Sequence, residues 1–186
     1  MSAPSIARHR RFFLAPLWLG ALLVLALLAA AAGVYRSATT TTIIIVRHAE
    51  SVLGSIADPP LAAEGEQRAQ RLARMLGASG APGRITAIYV TSARSAQQTA
   101  TPLAARLGIQ PFVLPDGATA STVASTIRST AAGGAAVVVT SANVIPELVQ
   151  ILSSVQIAPL REDEYDGMYV VTVPSVGAAA LLRLRY

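Results

Sequence analysis

The chain has 186 residues, 53% of them hydrophobic and 13% charged, with a formal net charge of +5. That length leaves room for one ordinary domain and a short appendage, and that hydrophobicity excludes disorder over most of it. Cys is absent, which excludes disulfides, thiolate metal sites and a cysteine nucleophile; all 15 basic residues are Arg, which excludes Schiff-base and P-loop lysine chemistry.

The N-terminal segment carries Arg8, Arg10 and Arg11, and residues 12–34 then run without a charge. At 1.5 Å rise per residue such a run is long enough to cross a hydrocarbon core of roughly 30 Å. Three arginines precede it and Arg36 alone follows closely, so the positive-inside bias predicts a cytoplasmic N-terminus and a membrane-anchored, extracytoplasmic domain. The alternative is export after cleavage among the small residues that end the run, with residues 10–14 (RRFFL) as a twin-arginine variant of it. The expected organisation is a basic stub with a signal anchor at 1–35, a linker at 36–42 and a domain at 43–186. Beyond residue 35, twelve arginines face ten acids, a net +2, with no arginine cluster interleaved with aromatics. Nucleic acid is therefore not an expected partner.

Within the domain, β-rich runs alternate with helical patterns. Residues 43–46 (IIIV) read as a strand buried on both faces. Residues 63–76 place Ala69, Leu72, Ala73 and Leu76 at helical spacing and stop at Gly77. A strand at 86–90 and a helix at 95–107 follow, with Pro102 either kinking that helix or lying in its first turn. Residues 111–114 predict a short strand, 119–130 a Ser/Thr-rich helix, 137–140 (VVVT) a buried strand, and 146–152 a helix with Pro in its first turn. Strands at 168–173 and 178–185 close the chain, the second with Arg183 and Arg185 alternating with Leu182 and Leu184. The charged run 161–164 (REDE) reads as a solvated loop, and Tyr165 and Tyr169 as residues packing at the sheet edge. The fold class is α/β, an open, mostly parallel sheet flanked by helices.

A sheet of that kind binds ligands beyond the carboxyl ends of its strands. The residues there include Arg47, His48 and Glu50, then Arg94, then Asp116, then Ser141 and Asn143. A neutral imidazole is a competent nucleophile toward phosphorus, and a neighbouring guanidinium can hold phosphoryl oxygens by paired hydrogen bonds. An isolated Arg-His pair is more often a satisfied strand end, so the dipeptide needs its context.

The stretches IIIVRHAES, PPLAAEGEQRAQRLARML, YVTSARSAQQTATPLAARLGI, VVVTSANVIPELV and EYDGMYVVTVP, in that order over residues 43–174, resemble the histidine phosphatase (phosphoglycerate-mutase-like) superfamily. The similarity is greatest to its small, compact branch, which has no large inserted cap. It implies a phosphate or phosphomonoester ligand, a transient phosphohistidine at His48, phosphate binding by Arg47, and an orienting acid at Glu50. No metal or other cofactor is implied. The family's general acid points to Asp116, for which a Pro-Asp-Gly turn is the alternative reading. Ser141 and Asn143 fall where the family's pocket residues follow the fourth strand.

Two departures stand against that pattern. The second pocket arginine of the family falls on Ser95, with Arg94 one place earlier, a rotation of about 100° on a helix. The second histidine of the family falls on Ser141, and His48 is the only histidine beyond residue 35. A hydroxyl donates a hydrogen bond but brings no positive charge. Loss of a donor to transition-state charge costs about 3–4 kcal/mol, or roughly 10²–10³ in rate. The two readings are a phosphomonoesterase using His48 and a catalytically degenerate binding or scaffold module.

Overall fold

The computed structural model describes residues 15–38, 40–54, 57–78, 84–131 and 133–186. The chain divides after Ser37 into two units. In the first, α1 (Ala15–Ala38) carries an apolar run, and its described side chains, at 18–33, are all exposed. Among the described residues, no helix is long and apolar enough to cross a membrane. The expected signal anchor, its membrane partner and the extracytoplasmic localisation are corrected accordingly. The basic stub and the RRFFL segment lie outside the described residues.

The second unit alternates strand and helix as its hydrophobic periods require. Its elements are β1 (Thr41–Arg47), α2 (Ala63–Leu76), β2 (Ile85–Val90), α3 (Arg94–Leu107), β3 (Phe112–Val113), α4 (Ala120–Thr130), β4 (Ala135–Thr140), α5 (Ile145–Ser153), β5 (Gly167–Val173) and β6 (Ala180–Arg185). Among the described residues the strands form one six-stranded sheet in the order β3-β2-β4-β1-β5-β6. β3, β2, β4 and β1 pair in parallel, whereas β5 runs antiparallel to both β1 and β6.

Strand alternation divides the core into two layers. Ile43, Ile45, Ala136, Val138 and Tyr169 point toward Val123 and Ile127 of α4 and Leu148 and Val149 of α5. Ile44, Val46, Val137, Val139 and Met168 point the other way, toward Leu72 of α2 and Ala100 and Leu103 of α3. β1 and β4 are thus buried on both faces, which is why IIIV and VVV are continuous apolar runs.

Of the two expected places for Pro102, it lies inside α3 and not in its first turn. Two details differ from expectation. Tyr169 is 1% exposed in the core and not at the sheet edge, because β5 is an interior strand. β3 is only two residues long, since its Phe112 and Val113 lie on the exposed flank of the sheet.

Candidate functional site

The parallel pairing of β1 with β4 brings Arg47 opposite Thr140, and the His48 amide donates to the Thr140 carbonyl at 2.9 Å. Arg47, His48 and Ser141 therefore share the carboxyl edge at the middle of the sheet, where the chain leaves two neighbouring strands.

His48 is partly buried, and its Nδ1 lies 3.0 Å from the Ala49 carbonyl oxygen. A carbonyl can only accept, so Nδ1 carries the proton of the neutral ring and Nε2 keeps its lone pair. Burial lowers the imidazole below its ordinary value of 6.5, and the charge of Arg47 lowers it further, outweighing the bond to Ala49, which acts the other way. At neutral pH the ring is uncharged and nucleophilic at Nε2.

The loop that bears this histidine is fastened from below. The Ala49 amide donates to Thr99 Oγ1 at 2.9 Å, and Thr99, itself buried, donates to the Ser95 carbonyl at 2.7 Å. Gln98 Oε1 accepts from the Leu61 amide at 2.8 Å. The Gln-Thr-Ala of α3 thus holds both ends of the 49–61 loop. Glu50 accepts both Nε and Nη2 of Arg68 on α2. Burial raises the Glu50 carboxyl, but those hydrogen bonds and the Arg68 charge outweigh it, leaving the group below its usual range. α2 comes this close because Gly65 has no side chain: a Cβ there would meet the Glu50 carbonyl oxygen at 2.2 Å.

Arg47 is held from the opposite side. Its Nη1 donates to the carbonyls of Arg161 at 3.1 Å, Glu162 at 2.9 Å and Glu164 at 3.2 Å, and its guanidinium stacks 3.9 Å over the Tyr165 ring. Its Nε is buried without a hydrogen-bond partner, as is Thr140 Oγ1 on the residue paired with it in register. The 161–164 run does expose its Arg161 and Asp163 side chains as an ion pair. Its backbone, however, is the cradle of Arg47.

The other expected residues are more dispersed. Ser95 is buried at the start of α3 while Arg94 is exposed, and the Arg94 amide is taken by Asp58 Oδ1 at 2.9 Å. Asp116 is exposed in the turn where the Ala118 amide donates to the Pro115 carbonyl, with Gly117 at a φ of 68°. β3 stands three strands from β1, about 14 Å at ordinary strand spacing. Asn143 is exposed and lines a cavity of about 630 Å³ with Ala142, Glu147, Gln150, Gln156 and Leu160. Sequence reasoning did not single out Thr99, Gln98, Gly65, Arg68 or Tyr165 as site residues. The helical glycine facing the motif loop is the one signal among them visible without coordinates.

Residues 43–116, which include the Arg-His strand end and the Gln-Thr-Ala helix, match the family model of the histidine phosphatase superfamily (branch 1). The matched segment is less than half of the chain. Solved structures of low identity share the fold. The protein histidine phosphatase SixA complexed with tungstate is 17% identical with a TM-score of 0.61, over 77% of this chain and 96% of that one. A mycobacterial glucosyl-3-phosphoglycerate phosphatase is 17% identical with a TM-score of 0.57, over 72% and 90%. A phosphoglycerate mutase from Plasmodium falciparum is 20% identical with a TM-score of 0.58, over 78% and 91%. No curated protein matches the sequence. The matched segment includes the Arg-His strand at the centre of the sheet, and β4, which Ser141 follows, lies outside it.

Proposed function

We propose that this chain is a slow phosphomonoesterase of the histidine phosphatase superfamily that receives the phosphoryl group on Nε2 of His48. The observation that carries the proposal is the bond from Nδ1 to the Ala49 carbonyl, which leaves Nε2 as the free lone pair of a neutral ring. Nε2 attacks phosphorus as the ester P–O bond breaks, and the departing alkoxide takes a proton from water. Asp116, exposed in the turn after β3, is the acid that the sequence offers as an alternative donor. Water then attacks the phosphohistidine, the N–P bond breaks, and inorganic phosphate leaves the neutral imidazole behind.

Arg47 supplies the positive charge. Its Nε and the hydroxyl of Thr140, the residue paired with it in register, are both buried without a hydrogen-bond partner, which supports a phosphoryl oxygen as the group they would take. Ser141 adds a neutral donor, and Glu50 keeps the loop in register through Arg68. Asn143 and the cavity beside it take the rest of the substrate. With Ser141 in place of a second imidazole and Arg94 exposed, one guanidinium carries the work of several cations, and turnover is slow.

Those same two features favour a second reading, a phosphate-binding module without turnover. Hydrolysis of p-nitrophenyl phosphate by the full chain and by His48→Ala separates them. A rate at least tenfold lower in the variant is expected, and equal rates overturn catalysis. Equal rates together with retained binding of inorganic phosphate leave the binding module standing.

A further inference from the structure

The 161–166 segment carries Glu162, Asp163, Glu164 and Asp166, yet it presents only carbonyls to Arg47. Among the described residues, no carboxylate pairs with the Arg47 guanidinium. The segment's own acids are turned aside: Asp163 pairs with Arg161, Glu164 with Arg183 and Asp166 with Arg185. Glu162 is exposed, where water screens its charge. Glu164 is the critical one, because its carbonyl accepts from Arg47 while its side chain is only 13% exposed. A carboxylate rooted that close, in a weakly screened place, is a natural competitor for the guanidinium.

We propose that Arg183 is a positioning residue for Arg47: from the last strand it draws off the Glu164 carboxylate, so that Arg47 stays cationic and unpaired for a phosphoryl group. This rests on the reading that Arg47 meets phosphate. An exposed ion pair by itself contributes little. Arg183, however, is fixed at two points: its guanidinium also lies 5.5 Å from the ring centroid of the buried Tyr169. β6 pairs with β5 in a register that sets Arg183 opposite Tyr169 and Arg185 opposite Gly167, so both arginines stand beside the end of the acidic segment. The alternation of Arg and Leu in β6 thereby acquires a function beyond keeping an outer strand soluble. The carbonyls hold the guanidinium without neutralising it, and Arg183 removes the partly buried carboxylate that would.

The test uses the full chain with Arg183→Gln, Glu164→Gln and the double variant. Two readouts are taken: calorimetric affinity for inorganic phosphate, and the NMR signal of the Arg47 Nε–H, assigned by its loss in Arg47→Gln. Arg183→Gln is expected to weaken phosphate about tenfold, the worth of one charge-assisted hydrogen bond, and to shift the Arg47 signal. The double variant, with no carboxylate left to compete, returns both to within about twofold of the parent. An unmoved Arg47 signal in Arg183→Gln overturns the proposal. So does a double variant that stays as weak as the single one, because the loss then comes from β6 packing. If the parent chain binds no phosphate, the functional reading fails, and the Arg47 signal still decides whether Glu164 is being held away.

Discussion

The proposed nucleophile, His48, requires a neutral ring, and its surroundings decide where that condition begins. Burial and the Arg47 charge lower its folded pKa beneath the ordinary 6.5. The rate of p-nitrophenyl phosphate hydrolysis should therefore rise with pH through an inflection below 6.5 and stay level above it. An inflection above 6.5 would mean that a carboxylate, and not desolvation, governs the ring. The sign for stability runs the same way. The unfolded chain takes up a proton near 6.5 while the folded ring resists it, so stability is lost as pH falls from 6.5 toward the folded value. Ser141 is the second residue of consequence, since the β1–β4 pairing puts it beside His48. Ser141→His brings a second cationic donor to that edge and is expected to raise turnover by about 10²-fold. An unchanged rate, measured with phosphate binding intact, would mean that Ser141 does not face the reacting phosphorus.

At the scale of elements, the site depends on how closely α2 and α3 press on the 49–61 loop. Gly65→Ala tests that fit with two opposed magnitudes. Alanine favours a helix interior by about 1 kcal/mol over glycine. Its Cβ, however, would meet a backbone oxygen, Glu50 O, at 2.2 Å, and overpacking of this kind costs about 1–3 kcal/mol. The expected outcome is net destabilisation in urea unfolding, with weaker phosphate binding as Glu50 is displaced. A stabilised variant would show that α2 can retreat freely. The elements themselves were legible because their burial is periodic: Leu72 and Leu76 repeat every turn, and IIIV lies between two apolar layers. The motif histidine and arginine were legible because they follow such a strand. The cradle of Arg47 was not, because its donor groups meet backbone carbonyls more than a hundred residues away, and a carbonyl has no residue type to read. Thr99 was hidden for a similar reason, its hydroxyl serving one amide across 50 residues. The membrane assignment rested on a charge-free run and the arginines that flank it, whereas among the described residues no helix is long and apolar enough to cross a membrane.

At the scale of the whole domain, the site lies on β1 and β4, the two strands with apolar layers on both faces. Losing their pairing means losing the core, so a site at their carboxyl ends is dismantled only when the domain unfolds. Binding therefore couples to global stability and not to a fraying loop. A ligand that binds the folded state alone at 100 times its Kd adds about 2.7 kcal/mol. For a domain of this size, each kcal/mol is worth roughly 2–4 °C in Tm. Saturating tungstate or inorganic phosphate should then raise the calorimetric Tm by about 5–10 °C. Arg47→Gln should abolish the shift, whereas Arg94→Gln, which alters an exposed side chain, should leave most of it. If Arg47→Gln retains the whole shift, the anion binds elsewhere on the domain. If Arg94→Gln abolishes it, the start of α3 turns inward on binding and supplies the second cation that the free fold lacks.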